Sequence, residues 1–146
     1  MSVEIKLLDA GDADVLGNVA PGVFDDPIDD RGAKEFLTDS RHHLAVAVDD
    51  GVVVGFVSAM HYAHPDKRYP EMWINEVQVA STHRRKGIAR ALLDQILHRA
   101  RELQCTEAWV LTDRDNVPAT RLYSATGGTG TADGALMFTF DLGETE

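Results

Sequence analysis

Val77-Gln78-Val79-Ala80-Ser81-Thr82-His83-Arg84-Arg85-Lys86-Gly87-Ile88-Ala89 runs from an apolar, β-branched segment through a basic turn into a helical pattern. From Gly87 to Leu103 the residues Ile88, Leu92, Leu93, Ile96, Leu97, Ala100 and Leu103 recur at helical spacing. A helix starting here leaves its first N–H groups without intrahelical partners, and its dipole adds positive potential at the same end. An anion such as a pyrophosphate can supply the missing acceptors. Gly87 lets the main chain approach phosphates without a Cβ in the way, and Ala89 keeps the next turn equally close. Arg84, Arg85, Lys86 and Arg90 add positive charge to a chain whose formal net charge is −10. A Walker P-loop is excluded because no Gly-Lys-Ser/Thr ending is present, and a dinucleotide fingerprint because Gly-x-Gly-x-x-Gly is absent.

Working outward, Met72 to Val79 reads as the strand that feeds this turn. Upstream, Leu44 to Val48 and Val52 to Met60 are β-branched runs joined by Asp49-Asp50-Gly51, a hairpin signal. The polar stretch His61 to Pro70, with Pro65 and Pro70, reads as a connection. Alternation of Val3, Ile5 and Leu7 predicts a first strand, followed by a short helix from Asp12 to Val19. Val23 to Arg31 is a loop rich in Asp, Pro and Gly, and Ala33 to Ser40 a helix. Downstream come a strand at Ala108 to Thr112 and a helix at Val117 to Ala125 ended by Gly127-Gly128. A last strand, Ala135 to Leu142, alternates Leu136, Phe138 and Phe140. This order predicts one α/β (α+β) domain over residues 1–146 with about six strands and about four helices.

With 146 residues, 44% of them hydrophobic and 26% charged, the composition is that of one globular domain. No apolar run approaches the roughly 20 residues of a membrane span, and Met1-Ser2-Val3-Glu4 lacks a basic leader, so a cytoplasmic location and no membrane partner are expected. The net charge disfavours nucleic acid. Cys105 is the single cysteine, which precludes an internal disulfide. His42, His43, His61, His64, His83 and His98 show no ligand spacing, so no metal is expected.

The run Arg84-Arg85-Lys86-Gly87-Ile88-Ala89 resembles the signature of the GNAT (general N-acetyltransferase) superfamily: Arg or Gln, two residues, Gly, one residue, then Gly or Ala. A second motif, Asn116-Val117-Pro118-Ala119-Thr120-Arg121-Leu122-Tyr123-Ser124-Ala125-Thr126-Gly127, matches that superfamily's pattern of Asn, Ala, Tyr and Gly at the same spacing. The resemblance implies a mixed, mostly antiparallel sheet of about six to seven strands flanked by about four helices, acetyl-CoA as acetyl donor, and often a homodimer. It further implies that Arg84 to Arg90 and Asn116 hold the cofactor and that Val77 and Val79 pair with its pantetheine arm. Tyr123 would then protonate the departing thiolate. Packing on the sheet is the alternative for Tyr123. After Gly127 the family often has an aromatic residue, whereas this chain has Gly128-Thr129-Gly130.

Transfer to an amine needs a free lone pair, and Glu76 is the candidate base. Strict strand alternation places Glu76 with Ile74 and Gln78 on one face, opposite Trp73, Asn75, Val77 and Val79; an exposed strand-edge glutamate is the other reading. The stretch Trp73 to Val79 with His83 to Ala89 is similar to the GNAT-type aminoglycoside 3-N-acetyltransferases, which implies a small polycationic amine as acceptor. Asp25, Asp26, Asp29, Asp30, Glu76 and Asp113 then line an acidic cleft. A polyamine, a peptide or a protein amine satisfies the same charge argument, and a non-catalytic CoA-binding domain is the non-enzymatic alternative.

Overall fold

A computed structural model describes residues 2–130 and 136–143. Five strands form one sheet in chain order: β1 (Val3–Leu7), β2 (His42–Asp49), β3 (Val52–His64), β4 (Lys67–Val79) and β5 (Ala108–Val110). All neighbours are antiparallel except β4 and β5, which are parallel. The helices are α1 (Asp30–Thr38), α2 (Ile88–Glu102) and α3 (Val117–Ala125), with 3₁₀ turns at Ala13–Gly17 and Ser81–His83. The α/β class and the mixed, mostly antiparallel sheet are as expected, with two corrections to the element count. The helix predicted over Asp12 to Val19 is only the 3₁₀ turn, too short to present an amphipathic stripe. Residues 136–142 form no strand; Leu136, Phe138 and Phe140 are 80%, 77% and 82% exposed, and Ala135 lies outside the described residues. Alternation there defines a face, but a ladder also needs an adjacent edge, and none of the five strands pairs with this segment.

The Asp49-Asp50-Gly51 signal is realised, with φ of 50° at Asp50 and 77° at Gly51 in the two-residue turn between β2 and β3. The stretch His61 to Pro70 is not a connection. It is the far end of a long β3–β4 hairpin whose turn is Pro65-Asp66. Its polar residues mislead because the hairpin runs past the apolar core and is held by side-chain hydrogen bonds instead.

Helix α2 covers one face of the sheet. Leu92, Leu93 and Ile96 are fully buried, each contributing about 1.5–3 kcal/mol. Small residues beneath it, Ala45, Ala47, Gly55 and Ala59, allow the close approach; a Cβ on Gly55 would lie 3.3 Å from Leu92 Cδ1 and 3.2 Å from the Gln78 carbonyl. The other face carries α1 and the loop before it. Phe24 from that loop stacks on Phe56 at 4.1 Å, and Phe36 of α1 meets His42 at 4.7 Å. Asp29 caps α1 by accepting the Gly32 N–H at 2.7 Å.

Candidate active site

Strand β4 is irregular where the chemistry is expected. Ser58 of β3 pairs with Glu76, while the next residue, Ala59, pairs with Ile74, so Asn75 is an inserted bulge residue. The bulge corrects the simple alternation. Glu76 and Gln78 do share a face, but Ile74 turns to the α2 side and Trp73, paired with Met60, joins Glu76. Ile74 is buried accordingly, whereas Asn75 and Glu76 are exposed.

Strand β5 pairs with Met72, Trp73 and Ile74 only, and so, among the described residues, β4 from Asn75 onward has no strand partner on that side. The Ala80 N–H donates to the Val54 carbonyl at 2.7 Å. In an antiparallel ladder alternate residues aim at alternate edges, so Gln78 and Ala80 face β3 while Val77 and Val79 direct their N–H and C=O groups to the open edge. Arg84 Nε donates to the Val79 carbonyl at 3.3 Å and braces the end of that edge.

Beyond Val79 the turn is built to expose main-chain donors. Arg85 (φ 62°) and Gly87 (φ 77°) both adopt left-handed backbone, and Gly87 is the N-cap of α2, a residue with no side chain to cap the helix. Here the glycine is demanded by its φ, since a Cβ would meet nothing within 4 Å. Arg85, Lys86 and Arg90 are exposed around this end; Ile88 is buried and Ala89 half-buried, so their side chains serve the core and only their main chain faces outward. His83 fastens the turn to the sheet through Asp49 Oδ2 at 2.7 Å and contacts Thr82 Oγ1 at 2.8 Å.

Asn116 is the N-cap of α3, its Oδ1 accepting the Ala119 N–H at 3.2 Å, with Pro118 in the first turn. Tyr123 is half-buried against the core, and burial pushes its hydroxyl pKa up. The helix stops at Gly127 (φ 97°), and the Gly128 N–H returns to the Tyr123 carbonyl at 2.8 Å. A Cβ on Gly128 would stand 2.9 Å from that oxygen, so a glycine is required at the position where the family often has an aromatic. Asp113 is exposed in the loop from β5, its carbonyl accepting the Asn116 N–H at 3.0 Å.

The face that carries Glu76 holds the remaining candidates. Asp25 and Asp26 are exposed beside Phe24, whose partner Phe56 lies opposite Gln78. Asp29 is engaged as a helix cap and Asp30 is the first residue of α1, so these two have structural roles that the acidic-cleft reading overlooked. On the other side of Glu76 stand residues that sequence reasoning missed: Trp73 stacks on Trp109 at 5.9 Å, and the Trp109 indole N–H donates to the Tyr62 hydroxyl. Tyr62 donates in turn to Glu71 Oε1 at 3.1 Å, and Lys67 to Glu71 Oε2 at 3.3 Å. Burial opposes ionisation of Glu71, yet the Lys67 ammonium and the Tyr62 hydroxyl hold its carboxyl below the usual pKa. The signal that could have found this cluster is the Pro65-Asp66 turn, which brings Tyr62 opposite Glu71. Among the described residues no helix is long and apolar enough to cross a membrane, and no group of three or more His, Cys, Asp or Glu is placed to hold a metal.

The chain is 34% identical over 96 residues to streptothricin acetyltransferase of Streptomyces lavendulae, an alignment spanning 66% of this chain and 48% of that enzyme. It spans less than half the length of the curated relatives it matches. A ribosomal-protein-alanine N-acetyltransferase from Brucella melitensis superposes with a TM-score of 0.71 at 26% identity, covering 95% of this chain and all of the other. An aminoglycoside acetyltransferase from an uncultured soil sample shares the fold at a TM-score of 0.79 and 19% identity, with 96% of each chain covered. The family model for the acetyltransferase (GNAT) family matches residues 16–127, a span that includes the open edge of β4 and the turn into α2, and the chain belongs to that family.

Proposed function

We propose that the chain transfers the acetyl group of acetyl-CoA to a primary amine of a small polycationic acceptor, an aminoglycoside at its 3-amino group. The observation that carries this reading is the juxtaposition on β4 of an open main-chain edge at Val77 and Val79, an uncapped α2 N-terminus, and Glu76 beside the Asn75 bulge. These residues fit the donor. The N–H groups at Gly87 to Ala89 with Arg85, Lys86 and Arg90 suit a pyrophosphate, and the edge at Val77 and Val79 suits an extended amide-bearing arm. When bound, acetyl-CoA supplies an activated thioester carbonyl. One of the outward N–H groups of Val77 and Val79 would stabilise negative charge growing on that carbonyl oxygen. Glu76 removes a proton from the ammonium form of the acceptor, directly or through a water, and frees the lone pair. A nitrogen–carbon bond would then form and the carbon–sulfur bond break, the nitrogen's remaining excess proton passing to the departing sulfur, with the Tyr123 hydroxyl placed to hydrogen-bond that sulfur and relay the proton. A phenol is protonated at neutral pH and burial pushes the Tyr123 pKa further up, so it acts chiefly by hydrogen bonding as charge develops. Asn116 secures the start of α3, on which Tyr123 stands.

Asp25, Asp26 and Asp113 give the acceptor side its negative sign. A peptide or protein amine is the second reading, favoured by the likeness to the Brucella protein. Incubating the protein with acetyl-CoA and separate aminoglycoside, polyamine and peptide acceptors, with release of free thiol recorded, tests both. Thiol release with aminoglycosides supports the first reading, release with peptides alone replaces it, and coenzyme A binding without release to any acceptor leaves a binding domain.

A further inference from the structure

The face holding Glu76 continues as an ordered row away from the acidic loop. Opposite pairs Ser58–Glu76, Met60–Trp73 and Tyr62–Glu71 follow one another along β3 and β4. Trp73 therefore begins about 7 Å from Glu76 along the strand direction, two residues of rise. Its neighbour across the parallel ladder is Trp109, and the two rings lie 25° from coplanar at 5.9 Å. The pair is fixed, since the Trp109 indole is tied to Tyr62 and Tyr62 to Glu71. Trp73, Trp109, Tyr62 and Met60 are only half-buried, whereas Phe56 further along the face is covered by Phe24.

Building on the acetyltransfer reading above, we propose that the stacked Trp73–Trp109 pair is a cation seat that holds a second ammonium group of the acceptor while its first amine faces Glu76. Tryptophan offers the strongest π face for a cation. Glu71 is engaged by Lys67 and Tyr62, so the ring faces rather than a free carboxylate make the contact, which favours a soft alkylammonium on a flexible or sugar scaffold. Burial first, then Glu71 and Glu107, bias Tyr62 towards its neutral form, so it stays a hydroxyl that can hold Trp109. The seat lies at the middle of β4, six residues before Val79 and the turn that follows it, so it serves the acceptor and not the donor.

The chain has two tryptophans and both stand in this wall, so intrinsic tryptophan fluorescence reports it alone. Titrating the full chain, saturated with coenzyme A, with kanamycin should change the emission saturably, with the same Kd by calorimetry. Trp73→Ala should raise that Kd about 5–30-fold, the equivalent of about 1–2 kcal/mol, with the coenzyme A Kd unchanged. Trp73→Phe, which keeps a π face, should stay within about threefold. If Trp73→Ala does not fold, Tyr62→Phe, which removes the hydroxyl that fixes Trp109, is titrated in its place and should also raise the Kd. Emission that stays constant while calorimetry records kanamycin binding, or an unchanged Kd in Trp73→Ala (or in Tyr62→Phe where it replaces it), overturns the seat and leaves acetyl transfer standing. If neither kanamycin nor spermidine binds while coenzyme A does, the polycationic acceptor itself is refuted and the seat with it.

Discussion

His43 makes the fold's stability depend on acid in a way its contacts dictate. Its ring is 3% exposed beneath α2, with Nε2 at 2.7 Å from His61 Nδ1 and Nδ1 at 3.4 Å from Arg99 Nη1. A guanidinium only donates, so His43 Nδ1 must accept; its proton then sits on Nε2 and is given to His61 Nδ1. Protonating His43 would set an N–H against the Arg99 guanidinium. Burial first, then His61 and Arg99, lowers its pKa from 6.5 to about 4. The folded pKa is depressed below the unfolded one, so the unfolded chain takes up the proton first. Stability is complete above about pH 6.5 and falls as pH drops towards 4. A gap of about 2.5 units at about 1.36 kcal/mol each gives about 3 kcal/mol, which we reduce to about 2 kcal/mol because His61 and Arg99 remain half-exposed to water. Carboxylates titrate over part of the same range, so the comparison is with His43→Gln, which stays neutral. Denaturant unfolding from pH 7 to 4.5 should show the natural chain losing about 2 kcal/mol more than the variant, with equal m-values. Equal losses in the two proteins would refute the assignment.

Glu76→Gln should lower kcat/KM for the acceptor about 10²–10⁴-fold near neutral pH, with a smaller deficit as pH rises and free amine accumulates; a pH–rate profile parallel to that of the natural chain removes Glu76 from the base role. Tyr123→Phe keeps the packing and should reduce kcat about tenfold without altering the coenzyme A Kd, measured by calorimetry. Gly55→Val places methyls against Leu92, Val79 and the Gln78 carbonyl, where contacts are already 3.2–3.3 Å for a single Cβ. It should cost about 1–3 kcal/mol in denaturant unfolding, and an undiminished midpoint would show that α2 can move away.

Periodicity and turn chemistry made much of this molecule legible in advance. The stripe from Ile88 to Ala100, the Asp50-Gly51 turn and the Asn116 cap are all local signals, each set by residues within a few positions of one another. What escaped was non-local. The polar end of the β3–β4 hairpin looked like a loop because its satisfaction comes from Tyr62, Glu71, Lys67 and Trp109, residues up to 47 positions apart. The segment after Ala135 has the alternation of a strand, but which edge receives a strand is a property of the sheet and not of the segment.

The makeup of the candidate face turned on a single residue. Glu76 could be named as the candidate base from strand position and resemblance, yet its company could not, because period-two counting fails at an insertion. With Asn75 unpaired, Trp73 and Glu76 lie three residues apart and on the same side of the sheet, while Ile74 joins the core under α2. The same bulge lies where β5 stops pairing with β4 at Ile74, so the strand leaves its neighbour as its side-chain phase changes. The open main-chain edge at Val77 and Val79 and the placement of the Glu76 carboxylate beside Trp73 therefore share one structural cause. Deleting Asn75 would restore plain alternation and, in moving Ile74 or Glu76 across the sheet, break the site and the core together.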